Sequence, residues 1–168
     1  MVENHIFLER GRTVVAKARN ALADLSDLLG GDYLQACAMI QSCTANIMTM
    51  GVGKSGFIAK KMAASFASLG QPAFFVHPVD AAHGDLGNIT QHDVVVVFSH
   101  SGETKEILHI MHAIKQRAAY VIAICAHTSC TLAKYVDLCL STGKTEESCY
   151  LGLAPTTSTT VAMVLADC

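Results

Sequence analysis

Residues 94–104, VVVVFSHSGET, indicate the fold class of this 168-residue chain. Five consecutive apolar residues, four of them β-branched, are typical of a strand that is buried on both faces. The run stops at Ser99, and the polar residues and glycine that follow indicate a turn into a new helix. A buried strand that leads into a helix is the repeating unit of a parallel sheet, because such a sheet must be covered on both sides.

The same unit recurs along the chain. Short apolar runs predict five strands, at Ile47–Met50, Ala73–Val76, Val94–Phe98, Tyr120–Ile124 and Val136–Leu140. Apolar residues at three-to-four spacing predict the helices between them, on faces formed by Ile58, Met62, Phe66 and Leu69 and by Ile107, Ile110, Met111 and Ile114. We therefore predict an α/β fold: a three-layer α/β/α sandwich with a five-stranded parallel sheet.

Two helices are predicted before the first strand. One covers about residues 3–28, and Tyr33–Ile40 forms the second after the stop signal Gly30-Gly31. The predicted organisation is a single domain over 1–168, with N-terminal helices in 1–43 and an α/β core in 44–168. The segment from Thr156 to Cys168 has a helix start but no stop signal, so we expect truncation of the natural chain at its C-terminus.

Composition excludes several classes of function. Lys and Arg number 12 against 14 Asp and Glu, so no basic face is expected for nucleic acid. The longest apolar runs have the length of strands, whereas a spanning helix needs about 20 apolar residues, so no membrane partner is expected. Residues 1–19 lack the apolar centre of a secretory signal, which predicts a cytoplasmic protein.

The seven cysteines include no Cys-x-x-Cys pair. Several of them lie in apolar stretches, where a reduced thiol behaves as a small hydrophobic group. We therefore expect buried, reduced thiols rather than a zinc-thiolate site, whose ligands are usually more closely paired.

The first candidate binding loop is GVGKSG, residues 51–56, which follows a predicted strand and opens a helix. Gly53 allows a ligand to approach the backbone, and Lys54 and Ser55 supply a charge and a hydroxyl group. The spacing also fits a dinucleotide loop, but the acidic residue expected about 20 positions later is missing. A nucleoside triphosphate loop fails because Met48 replaces its first glycine. A tight turn with a solvated lysine remains the alternative.

The second candidate loop begins where the strand of residues 94–98 stops. It offers Ser99, Ser101, Gly102 and Thr104 together with the N–H groups of a new helix. Hydroxyl groups and helix N-terminal amides are suitable donors for a phosphate monoester. The alternative is an ordinary capping box with Ser99 or Ser101 as the cap.

These motifs together resemble a known family. The segments GVGKSG, FFVHP, AHGDLG, SHSGET and LGLAPT, at residues 51–56, 74–78, 82–87, 99–104 and 151–156, are similar to the sugar-isomerase (SIS) domain of bacterial arabinose 5-phosphate isomerases. The resemblance implies a flavodoxin-like fold, a homotetramer and no cofactor. It also implies interconversion of ribulose 5-phosphate and arabinose 5-phosphate through an enediolate, for the synthesis of Kdo and of lipopolysaccharide or capsule.

By this resemblance, Lys54, His83, Glu106 and Glu147 correspond to the catalytic residues of the family. Glu106 or Glu147 would be the base at carbon, His83 would transfer protons between oxygens, and Lys54 would stabilise the enediolate. The alternative for His83 is a helix cap. No metal is required, although His77, His83 and Asp85 form a possible inhibitory metal site.

The chain departs from the family pattern in two ways. Family members continue through a Ser-His-Pro-Gly-Gly segment and often two CBS domains, and this chain has neither. Since the missing histidine belongs to the family's active site, the resemblance leaves open whether this chain is active alone. Position 150 is Tyr where Pro is common. The alternative function is a non-catalytic, phosphosugar-binding regulatory domain, which needs the phosphate loop but not the acid–base residues.

Overall fold

A computed structural model describes the backbone of residues 2–168 and the side chains from residue 5 onward. Its sheet contains β1 (Ile47–Gly51), β2 (Ala73–Phe75), β3 (Val94–Phe98), β4 (Tyr120–Cys125) and β5 (Leu138–Ser141). Within the described residues the strands are all parallel, in the order β2-β1-β3-β4-β5. This is the flavodoxin-like order, so the predicted fold class is confirmed.

Helices cover both faces of the sheet. They are α1 (Val2–Leu28), α2 (Gly31–Gln41), α3 (Lys54–Ser68), α4 (Pro78–Ala82), α5 (Lys105–Lys115) and α6 (Thr157–Asp167), and short 3₁₀ turns cover Asp85–Asn88 and Leu132–Tyr135. From residue 2 onward, no helix combines the length with the apolar character that a membrane crossing requires.

Alternation along the strands divides the core into two layers. Successive strand side chains point to opposite faces, so neighbouring valines of β3 enter different layers. Val94 and Val96 pack in the layer that includes residues of α1, α2, α3 and α6, whereas Val95 and Val97 pack in the layer that includes α4 and α5. Each layer therefore buries one face of the sheet, as the three-layer prediction requires.

The ends of β1, β2 and β4 differ by one residue from the predicted ones, and two differences are larger. β5 begins at Leu138 rather than Val136, because the Asp137 carboxylate replaces a strand carbonyl and accepts the N–H of Val121 at 2.8 Å. The short helix α4 was not predicted. Pro78 stands at its start, and Nδ1 of His77 accepts the N–H of Val79 at 3.3 Å and so caps it.

The expectation of buried thiols is only partly correct. All seven cysteines are free, and Cys125 and Cys130 are buried. Cys37 and Cys168 are exposed. In α2 only Ala36 is buried, so Cys37 lies on the face of the helix that points away from the core, and Cys168 follows the last turn of α6. The structure also brings three cysteines together that the spacing did not pair.

Candidate active site

A cavity of about 250 Å³ opens at the carboxyl ends of β1 and β3. The strand order reverses between these two strands, and in doubly wound sheets ligands bind at this switch point. Polar side chains from three loops reach the cavity: Lys54, Ser55, Ser99, His100, Thr142, Glu147, Ser158 and Thr159. The cavity therefore joins both predicted binding loops to the start of α6.

The turn between β1 and α3 is tight. A Cβ atom at Gly51 would lie 2.8 Å from the carbonyl carbon of Ser55, and one at Gly56 would lie 2.8 Å from the Gly51 oxygen. Both glycines are thus needed for the close packing of strand against helix. Gly53 has φ +58° and turns the chain into α3, so Lys54 and Ser55 stand at the cavity.

Lys54 supplies positive charge at the cavity. It is exposed, and in the part of the chain that the structure describes no carboxylate lies within 4.0 Å of its Nζ atom. An ammonium group without an internal partner is available to an anionic ligand.

The loop after β3 is held by its own hydrogen bonds. Ser99 is buried, and its Oγ atom lies 2.9 Å from Oγ1 of Thr104 and accepts the N–H of Gly102 at 3.2 Å. The exposed Ser101 hydroxyl accepts the N–H of Glu103 at 3.2 Å. These bonds fix the loop in one shape, with the αL conformation at Gly102 (φ +67°).

Several backbone donors of this loop remain free. Among the described residues, no acceptor pairs with the N–H groups of Ser101, Thr104, Lys105 or Glu106. Thr104, rather than Ser99 or Ser101, occupies the N-cap position of α5, and its side chain makes no cap hydrogen bond. The capping-box interpretation is therefore wrong. Unpaired amides at a helix N-terminus suit an anion.

Glu147 caps the start of α6. Its Oε2 atom accepts the N–H of Thr156 at 2.6 Å and the Thr156 hydroxyl at 2.8 Å, and its Oε1 atom accepts the Ser158 hydroxyl. A carboxylate has about four lone-pair sites. At least three of them accept hydrogen bonds here, so both carboxylate oxygens are held at the start of α6.

The same contacts keep Glu147 ionised. Partial burial opposes ionisation, but the hydrogen bonds from Ser158 and Thr156 outweigh it and lower the pKa of Glu147. Its contribution to stability is therefore present above the pKa of glutamate in unfolded chains, about 4.3, and is lost as the pH falls through the lower folded pKa.

We expect Glu147→Gln to lower the free energy of unfolding by about 1–2 kcal/mol at pH 7, because an amide satisfies the Thr156 and Ser158 donors less well. Urea unfolding at pH 7 and at acidic pH measures the effect. The difference from wild type should shrink as the pH falls below about 4.

Glu146→Gln is the matched control. Glu146 is exposed and its carboxylate pairs only with Lys17 among the described residues, so its replacement should cost at most about 1 kcal/mol. Equal losses for the two variants at pH 7 would contradict the capping role of Glu147.

The structure separates the predicted catalytic residues into two groups. Lys54 and Glu147 line the cavity. Glu106 lies outside it, in a shallow depression that it shares with α4 and His109, and His83 is exposed at the end of α4. A single chain thus brings together only half of the set.

The possible metal ligands are not brought together either. Nδ1 of His77 caps α4, whereas His83 and Asp85 are exposed. Across the described residues, the only group of three or more potential ligands in mutual reach is Cys125, Cys130 and Cys139.

The prediction missed some residues that contribute to the site. His100 lies within the quoted loop motif, and Ser158 follows Thr156 and Thr157, so both stand beside recognised signals. Tyr150, the unusual residue in the loop before α6, has the guanidinium of Arg10 5.4 Å from its ring centroid. This cation–π contact joins the loop to α1.

Fold and site together define a doubly wound α/β domain with a polar cavity and unpaired backbone amides at its switch point. Residues 39–168 match the SIS domain family, and the chain belongs to that family. The resemblance seen in the sequence motifs is thereby confirmed.

Named relatives give closer comparisons. The chain is 44% identical over 161 residues to the arabinose 5-phosphate isomerase KdsD of Yersinia pestis, and 42% identical to KdsD of Escherichia coli K12. Each match covers 96% of this chain and 49% of the relative, so the chain spans about half the length of these curated relatives.

A solved structure of c3406 from E. coli CFT073, in complex with arabinose 5-phosphate, superimposes with a TM-score of 0.92. It is 37% identical, and the match covers 98% of this chain and 87% of that one.

Proposed function

We propose that this domain belongs to an arabinose 5-phosphate isomerase, which interconverts ribulose 5-phosphate and arabinose 5-phosphate. The observation that carries the proposal is the cavity at the switch point, where a free lysine and an ionised glutamate lie beside the loop with unpaired amides. The 44% identity to a KdsD isomerase supports it. Synthesis of Kdo, lipopolysaccharide or capsule in the cytoplasm is the proposed context.

The reaction requires proton transfers alone, so no cofactor is needed. A base removes the proton from the carbon beside the carbonyl, and the electron pair of that C–H bond forms the C=C bond of the enediolate. The former carbonyl oxygen carries the negative charge, which the Lys54 ammonium stabilises. A proton then returns to the neighbouring carbon, while His83 transfers a proton between the two oxygens.

The two glutamates suit different parts of this scheme. The lowered pKa of Glu147 makes it a weak base, and its carboxylate lines the cavity, where it suits a sugar hydroxyl as a hydrogen-bond acceptor. Glu106 is exposed in the first turn of α5, and no other described residue donates a hydrogen bond to its carboxylate. We infer that Glu106 is the base at carbon and that Glu147 orients the sugar.

The proposed assembly is a homotetramer. His83 and Glu106 lie outside the cavity that holds Lys54 and Glu147, so a neighbouring subunit is needed to complete the catalytic set. In addition, α1 exposes apolar side chains that a monomer would leave in water: Ile6, Phe7, Leu8, Val14 and Val15. Sedimentation of the natural-length protein at micromolar concentration tests this; a stable monomer contradicts it.

The phosphate group is proposed to bind the loop after β3, with Gly53 and Ser55 on the opposite side. We expect the double variant Ser101→Ala, Thr104→Ala to weaken binding of arabinose 5-phosphate by about 10- to 100-fold, because hydrogen bonds to a charged group contribute roughly 1.5–3 kcal/mol. Calorimetric titration measures the affinity, and circular dichroism checks the fold.

Ser68→Ala is the control for that experiment. Its hydroxyl binds the Ala64 carbonyl at the end of α3, away from the cavity. Unchanged affinity in the loop variant would place the phosphate elsewhere.

The decisive assay of function is conversion of ribulose 5-phosphate by the natural-length protein. Formation of arabinose 5-phosphate supports the isomerase. Tight binding of the sugar phosphate without conversion would favour the alternative, a regulatory phosphosugar-binding domain.

A further inference from the structure

Three cysteines converge behind the phosphate loop. Cys125 ends β4, Cys139 lies in β5, and Cys130 lies in the segment between them. The Sγ atoms of all three lie within 4.8 Å of one another. Cys139 is paired with Ala123, two residues before Cys125, so the two strand cysteines project from the same face of neighbouring strands.

The cluster is enclosed by the protein. Cys125 is 1% exposed and Cys130 is 2% exposed, whereas Cys139 is half-buried and gives a way in from the surface. The backbone of Gly102 packs directly on the cluster, because a Cβ atom there would lie 2.3 Å from the Sγ of Cys130. The three thiols are free, and none is in a disulfide.

The separation of the sulfur atoms suits a single metal ion. Bonds of about 2.3 Å from three thiolates in a plane place the sulfurs about 4 Å apart. Atoms that already lie within 4.8 Å therefore need only small inward movements.

The number of ligands selects the metal. Thiolates favour soft ions, above all Cu(I), Zn(II) and iron–sulfur clusters. Structural zinc takes four protein ligands, and a four-cysteine set holds an iron–sulfur cluster. Within the described chain, no fourth Cys, His, Asp or Glu side chain belongs to this group. We propose that Cys125, Cys130 and Cys139 form a three-coordinate binding site for Cu(I).

Binding changes no oxidation state. Each S–H bond is replaced by an S–Cu bond, and its proton passes to the solvent.

The site is linked to the phosphate loop by hydrogen bonds on both sides of Cys130. Ala126 donates to the His100 carbonyl at 2.8 Å, Leu132 donates to the Gly102 carbonyl at 3.0 Å, and Thr131 donates to the Glu103 carboxylate at 2.7 Å. Movement of Cys130 toward a metal therefore acts on the loop. We therefore expect Cu(I) to weaken binding of arabinose 5-phosphate, an expectation that rests on the proposed function.

The test is an anaerobic titration of the natural-length protein with Cu(I) in competition with a chromogenic Cu(I) chelator. We expect one high-affinity equivalent that Cys130→Ala and Cys139→Ala each weaken about 100-fold or more, since even residues behind the ligands cost 10- to 100-fold. X-ray absorption should show three sulfur neighbours. Cys43→Ala, a half-buried cysteine outside the cluster, is the matched control and should bind like wild type.

Several results would overturn the site. They are wild-type affinity for Cu(I) in Cys130→Ala, loss of the bound Cu(I) equivalent in Cys43→Ala, or tighter binding of Zn(II) than of Cu(I) by the wild type. Circular dichroism checks that each variant is folded, and Cys130→Ser is used if Cys130→Ala does not fold.

If copper binds as expected but does not alter the affinity for arabinose 5-phosphate, the proposed coupling between the copper site and the phosphate loop is wrong. If metal-free protein does not bind the sugar phosphate at all, the proposed function fails while the copper site stands.

Discussion

His83→Ala in the natural-length protein is expected to lower kcat by about 10² to 10⁴, the usual cost of removing one general acid–base group. Binding of arabinose 5-phosphate should remain close to wild type, because the proposed phosphate site is the loop after β3, which does not include His83. An imidazole has two ring nitrogens and both donates and accepts protons, as transfer between two sugar oxygens requires. Steady-state kinetics and calorimetric titration measure the two quantities separately.

The structure makes the competing interpretation of His83 testable. Among the described residues its ring makes no hydrogen bond, and only its backbone N–H pairs, with the Asp80 carbonyl. His83 occupies the C-cap position of α4 through its backbone alone, whereas the side chain that caps this helix is that of His77 at its start, whose Nδ1 accepts the Val79 N–H. If the His83 side chain has no catalytic role, its replacement by alanine should therefore change both the free energy of unfolding and kcat very little.

The control for this experiment is His112→Ala. His112 is exposed in the last turn of α5, and its ring contacts Gln116. It should keep wild-type kcat. If His83→Ala also keeps wild-type kcat, His83 is not part of the catalytic set, and a regulatory domain becomes the better description of the site.

The fold was predictable because its main signals are local. The run Val94–Phe98 is apolar on both faces, and each of its residues is buried in the structure. The helical face of Ile107, Ile110, Met111 and Ile114 is buried as well. Patterns of this kind depend on strand and helix periodicity alone, so they can be recognised without knowledge of the tertiary contacts.

Features that depend on distant contacts were not predictable. β5 starts late because the Asp137 side chain binds a backbone group of β4, across 16 residues of sequence. The cysteine cluster arises from the pairing of β4 with β5, and no spacing rule brings Cys125 and Cys139 together.

The two binding loops of the site could be predicted from the sequence, but the relative positions of the candidate catalytic residues could not. Both loops were predicted to bind a ligand from their own residues, and the structure places Lys54 and Ser99 at one cavity because the ends of β1 and β3 meet at one edge of the sheet. That Glu147 caps α6 depends on the path of the preceding loop. The separation of His83 and Glu106 from Lys54 likewise depends on where α4 and α5 pack.

Gly51→Ala is expected to lower the free energy of unfolding substantially, although it adds only one methyl group. The new Cβ atom would lie 2.8 Å from the carbonyl carbon and 2.9 Å from the oxygen of Ser55, and 2.9 Å from the nitrogen of Gly56. These are backbone atoms at the start of α3, which rotamer changes cannot move. Overpacking of a core costs about 1–3 kcal/mol and occasionally more; we expect the upper end.

Urea unfolding measures this loss, and Gly31→Ala is the matched control, because Gly31 begins α2 with open space around it and without a positive φ. The control should unfold at the wild-type urea concentration or slightly above it, since alanine favours the helix. Gly51→Ala should also weaken binding of arabinose 5-phosphate, because the displaced helix start carries Lys54 and Ser55. Equal unfolding midpoints for the two variants would show that α3 can shift without cost, and the close approach at Gly51 would then not determine the position of the lysine.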